Sequence, residues 1–224
     1  MKIRVEKNID KDISNWQRSL SAKSYGVNWG RFLPEDISSA EVQDNNKLKE
    51  YLEKRFYSNG KVDKFVTWIK QHINASEIQE DLEGLMGKPF LQDKVTIIVT
   101  TFSRAPYSVE GSLFYIIFRD AVKKERTISG IYHELMHFLF HKHYWQQCEK
   151  ADLSETEIHN LKESMTVLLN PILAKRGLPL DKGYDAHQKI RGELEKMWED
   201  DEEKNFEKFL TKVLENHRSV KIQK

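Results

Sequence analysis

The chain is predicted to be an α+β protein, mostly helical, in which a small sheet packs against a helix bearing an HExxH motif and a second helix supplies a glutamate. Three observations predict this class. Apolar residues recur at three- and four-residue spacing through most of the sequence. Two short runs, VTIIVTTF (95–102) and SLFYIIFR (112–119), are dense in β-branched and aromatic residues. Immediately after them comes IYHELMHFLFHKH (131–143), where polar residues interrupt an otherwise apolar helical pattern.

The elements follow in order. Ile3 and Val5 alternate with polar neighbours, which predicts a short strand over Lys2–Glu6 at the start of a largely helical stretch. Asn59-Gly60 marks a turn, after which Val62, Phe65, Val66, Ile69 and Ile73 line one helical face. Asn74 stands three residues before Glu77, the spacing of a capped helix that carries Ile78, Leu82, Leu85 and Met86 and stops at Gly87. The two β-rich runs are separated by Pro106 and Gly111, so they are expected to pair as a hairpin. A helix is expected from about Thr127 to Trp145, and another from Ser154, with Glu157 in capping-box position, to Asn170 before Pro171. Two further amphipathic helices follow, one with Ile190, Leu194, Met197 and Trp198 and one with Phe206, Phe209, Leu210, Val213 and Leu214. The acidic run EDDEE (199–203) reads as a solvated connection between them. The expected organisation is an N-terminal helical region, 1–90, and a region 91–224 with the motif and C-terminal helices, or one continuous domain.

Composition limits the partners. The 224 residues hold 36 Lys+Arg and 35 Asp+Glu, a formal net charge of +1, which gives no basic excess for a nucleic acid. Eleven Phe, eight Tyr and five Trp supply a core and argue against disorder. One cysteine, Cys148, cannot form an internal disulfide, and no positioned base makes it a nucleophile. No apolar run approaches the roughly 18 residues of a membrane span, and the first residues, MKIRVEKNID, lack an apolar signal segment. A cytoplasmic protein without nucleic-acid or membrane partners is therefore expected, with its oligomeric state open.

The chemistry concentrates in His133-Glu134-Leu135-Met136-His137. Four residues of helix advance by about 400°, which leaves the two imidazoles about 40° apart on one face, able to share a metal ion. Glu134 projects about 100° from His133, where it can polarise a water without being a ligand. Five of the eight histidines (133, 137, 141, 143 and 159) fall within this region, whereas chance gives roughly 0.03 HExxH motifs in a chain of this His and Glu content. A catalytic zinc site needs a third protein ligand and an open position. His143 has the spacing of a longer zinc motif, but Phe140 replaces its turn-forming glycine. On a continuous helix His143 lies about 15 Å along the axis from His133. Glu163 is the better candidate, on a helix whose other face holds Ile158, Leu161, Met165 and Leu168, with Glu155 and Glu157 as alternatives. Tyr184, His187 and Arg191 are possible oxyanion donors. His141 is a possible neighbour of the ligands, whereas His72 and His217 sit in amphipathic helices with no chemical context.

Strands followed by an HExxH helix and then a glutamate-bearing helix resemble the gluzincin-type zinc metallopeptidases. Locally, HELMHFLFH (133–141), Glu163 and LLNP (168–171) are similar to the ImmA/IrrE family. The resemblance covers about 75 residues and implies hydrolysis of peptide or protein substrates, with zinc on His133, His137 and Glu163 and with Glu134 as general base. An edge strand of the 95–119 pair would bind extended peptide by strand addition. The alternative is a regulatory or protein-interaction module that keeps a metal site without robust catalysis.

Overall fold

A computed structural model describes residues 1–119 and 124–215 and has the α+β, mostly helical architecture expected. Residues gather into two compact units that interleave along the sequence. One takes Lys2–Ile73 and Lys94–Ile128; the other takes Met1, Asn74–Asp93 and the chain from Ser129 onward.

The first unit is built on a mixed sheet. Strand β1 (Lys2–Lys7) is longer by one residue than the alternation of Ile3 and Val5 predicts, and leads into α1 (Ile9–Ser19), where the Asn8 side chain accepts from Lys11 N–H. A two-residue ribbon, β2 (Lys23–Ser24) with β3 (Val27–Asn28), precedes α2 (Ser39–Gln43), α3 (Asn45–Leu52) and α4 (Lys61–His72). Then come β4 (Lys94–Thr100), β5 (Tyr107–Ser108) and β6 (Leu113–Ile117), and the sheet order is β1-β4-β6-β5.

The expected hairpin between the two β-rich runs is replaced by a parallel pairing, with Thr96 opposite Leu113 and Thr100 opposite Ile117. Both strands are buried on both faces, the pattern of parallel strands, and the Pro-containing connection carries β5 past the sheet to pair antiparallel with β6. Strand addition at an outer edge of the 95–119 pair thus changes address, because β4 is flanked on both sides and β6 lies between β4 and β5. Trp16 anchors the core of this unit against Phe102, ring centroids 4.9 Å apart, with Ile13, Ile37, Val42, Leu48 and Leu52 around them.

The second unit is helical. Its elements are α5 (Ala75–Met86), α6 (Glu125–His143, from Ser129 onward), α7 (Trp145–Lys150), α8 (Glu155–Met165), α9 (Asn170–Lys175), α10 (Gln188–Glu199) and α11 (Phe206–Glu215). Asn74 caps α5 on Glu77 N–H, and Gly87 closes it in the left-handed conformation, as the sequence predicts. Asp81 accepts from the Tyr132 hydroxyl at 2.8 Å and from Arg176 at 3.0 Å through two nitrogens, which clamps α5 to α6 and to the end of α9. The units part close to residue 90, between Asp93 and Lys94, but also between Ile73 and Asn74 and between Ile128 and Ser129: β4 hydrogen-bonds to β1, while α5 belongs with the C-terminal helices.

Helix α8 begins where Ser154 and Glu157 form a full capping box. It ends earlier than expected, at Met165, and passes through a 3₁₀ turn, Thr166–Leu169, into α9. Pro171 sits in the first turn of α9, where its missing N–H costs nothing, so it starts a helix rather than stopping one. In the acidic connection Asp201 is an exception to solvation: it is buried and accepts from Lys212 Nζ at 2.6 Å. His217 lies outside the described residues, and no helix among the described residues is long and apolar enough to cross a membrane.

Candidate metal centre

Helix α6 buries Ile131, Leu135, Phe138 and Leu139, and this apolar face fixes the helix so that His133 and His137 project together. Their ring centroids are 4.4 Å apart at 70°. From α8, Glu163 enters the same space, with Oε2 3.3 Å from His133 Nε2 and Oε1 3.1 Å from His137 Nε2. One ligand atom from each of His133, His137 and Glu163 lies within 4.8 Å of the other two, so the three could hold a metal ion.

The remaining candidates are placed elsewhere. His143 Nε2 meets the Pro89 carbonyl oxygen at 2.8 Å, which ties the end of α6 to the segment after α5. Glu157 is engaged in the capping box, and Glu155 is exposed beside His159 at 3.7 Å. His141 stacks on Trp145, centroids 4.4 Å apart. Cys148 is buried, and burial pushes its thiol up to about 12, which keeps it from acting as a nucleophile. His72 stacks on Trp68 in the other unit.

Around His133, His137 and Glu163 lies a polar shell that the sequence does not announce. Asp181 Oδ2 is 2.5 Å from His133 Nδ1, so Nδ1–H donates to the carboxylate and Nε2 is the nitrogen turned toward Glu163. Asp181 reaches this position because the chain after α9 folds back: its N–H donates to Asn170 Oδ1 at 2.8 Å, and Asn170 Nδ2 donates to its carbonyl oxygen at 3.3 Å. Arg191, one of three possible oxyanion donors in the sequence, is buried. It donates to the Asp181 carbonyl oxygen at 2.6 Å, to Asp181 Oδ1 at 3.1 Å, to Thr166 Oγ1 at 2.7 Å and to the Glu163 carbonyl oxygen at 3.3 Å. Gly183 makes that approach possible. A Cβ at this left-handed position would come within 2.8 Å of the guanidinium. His187 is likewise buried, with Nε2 3.2 Å from Asn160 Oδ1, and its ring packs edge-on against Tyr184.

The electrostatics follow from burial and charge. Desolvation and the Lys162 ammonium lower the His137 pKa to about 3, so at neutral pH this imidazole is neutral and has a lone pair for a metal. Burial lowers the His133 pKa, but the carboxylates of Asp181 and Glu163 outweigh it and hold the pKa well above the ordinary value, so metal binding here releases a proton. Burial also opposes ionisation of Glu163, yet His137, Lys162 and the imidazole hydrogen bonds hold its carboxyl well below the usual range. Glu134 differs. Burial, reinforced by the charges of Glu163 and Asp181 against those of His133 and Lys162, lifts its pKa to about 7. Its Oε2 is buried without a hydrogen-bond partner among the described residues, which is unusual for a buried carboxylate oxygen.

Compared with protein-family models, curated proteins and solved structures, the chain matches none.

Proposed function

We propose that this protein is a zinc-dependent peptidase of the gluzincin kind, as the resemblance to ImmA/IrrE implies, with His133, His137 and Glu163 as ligands and Glu134 as general base. The observation that carries this reading is the orphaned Glu134 Oε2, set on the same helix as two imidazoles that converge with Glu163 on one point. Two imidazoles and a carboxylate leave a tetrahedral ion one open position, the donor set of a catalytic rather than a structural zinc. Zinc, when bound, supplies a Lewis acid that polarises the scissile carbonyl and acidifies water.

The chain's own residues do the rest. Glu134 Oε2 takes a proton from the attacking water and returns it to the leaving amine nitrogen, a role that suits a carboxyl titrating near neutrality. Asp181 holds His133 in the tautomer that leaves Nε2 available, and Arg191 holds Asp181. His137, kept neutral, binds without first losing a proton.

Metal analysis of purified protein, together with cleavage of a peptide library by wild type and Glu134→Gln, tests the reading. The expected result is one zinc per chain in both proteins and at least about a hundredfold slower cleavage by the variant. Bound zinc with no difference between the two would favour a metal-binding module without catalysis. Iron in place of zinc, or no metal at all, would remove the zinc assignment.

A further inference from the structure

A cation that neither the motif nor its spacing anticipates sits beside the three ligands. Lys162 precedes Glu163 on α8, its side chain is entirely unexposed, and its Nζ lies 2.8 Å from Glu163 Oε1. Lysine is almost never fully buried unless it is paired, because both its ammonium and its flexible stem lose by leaving water. Here the pairing is with the carboxylate that would bind the metal. Oε1 faces the ammonium and His137 Nε2, while Oε2 faces His133 Nε2.

We propose that Lys162 is the resident counter-ion of Glu163: its ammonium neutralises the buried carboxylate when no metal is bound, and it works against a divalent cation that enters. This rests on the metal-site reading above and deepens it. Removing one partner of a buried ion pair is strongly destabilising, and the other cationic group facing Glu163, His133, is shared with Asp181. With Lys162 in place the site keeps its shape empty. The same ammonium stays within a few ångströms of the incoming ion in a low-dielectric interior, so the metal is held less tightly than the donor set alone would hold it. Lys162 is thus a positioning residue, whose effect on the metal passes through Glu163.

The test compares full-length wild type with Lys162→Met, Lys162→Arg and the double variant Lys162→Met/Glu163→Gln. Thermal unfolding is followed in chelator and in zinc, and zinc affinity is measured by competition with a chromophoric chelator. Metal-free Lys162→Met should melt at least about 5 °C below wild type, and zinc should restore most of the difference. It should also bind zinc about tenfold more tightly than wild type. Lys162→Arg, which keeps the charge, should behave as wild type. The metal-free double variant should melt above Lys162→Met, because no carboxylate charge remains to be neutralised. A loss of stability in Lys162→Met that is equal with and without zinc would overturn the proposal. So would a double variant no better than the single one, or unchanged or weaker zinc binding. If wild type takes up no zinc, the peptidase reading fails, and the metal-free comparison of single and double variants alone decides the role of Lys162.

Discussion

Each of the two units buries a carboxylate, and they satisfy it in opposite ways. In the first unit Asp12 accepts from the Thr100 hydroxyl at 2.6 Å, the Thr101 hydroxyl at 2.7 Å, the Thr101 N–H at 3.0 Å and the Tyr57 hydroxyl at 3.0 Å. Those donors are neutral and hold no lone pair that a metal would prefer. Burial raises the Asp12 pKa despite the four bonds, and nothing about the group invites exchange. Glu163 is faced instead by an ammonium and two imidazole nitrogens, and imidazole nitrogens are donors that a metal ion could take as ligands. Burial of an acid is therefore a poor guide to function, and the chemistry of its partners is a better one.

Replacing each carboxylate sharpens the contrast. The largest effect is expected for Glu163→Ala, which should weaken zinc binding by about a thousandfold, about 4 kcal/mol, in a chelator competition assay. A loss below tenfold would return the third-ligand role to another residue. Asp12→Ala strands several buried donors and should lower the unfolding free energy in urea by about 3 kcal/mol, with zinc stoichiometry unchanged. A change in zinc content there would erase the distinction between the two sites. Asp181→Asn removes the charge that orients His133 and should cost about ten- to a hundredfold in zinc affinity, less than loss of a ligand. Smallest of all, His143→Ala should leave zinc affinity within about twofold, because its imidazole is engaged with the Pro89 carbonyl; a loss comparable to that of Glu163→Ala would break the assignment.

What the sequence makes legible here depends on how local its cause is. The convergence of His133 and His137 requires only the 3.6-residue helical repeat, and the Ser154–Glu157 cap requires only four consecutive residues. Glu163 could be placed because the apolar residues of α8 define one face and leave it on another. The pairing of β4 with β6 was misread because β-rich composition marks a strand without naming its neighbour, and a twelve-residue connection containing Pro106 suits a crossing as well as a turn. Asp181, Lys162 and the true role of Arg191 were invisible for a different reason. Asp181 and Arg191 act through partners set by a loop returning to a helix, and no periodicity records that return; Lys162 adjoins Glu163 in sequence, but a lysine at that position reads as solvent-facing until its burial is seen.

The return of that loop also orders events during synthesis. A chain leaving the ribosome presents His133, His137 and Glu163 before Asp181 and well before Arg191, so all three ligands exist while the group that selects the His133 tautomer is still missing. Under the proposed metal-binding reading, capture of a metal with the right nitrogen would therefore wait until the segment around Gly183 has closed over the guanidinium. A nascent chain that stalls short of it holds the ligands but not the polarity that makes them a centre.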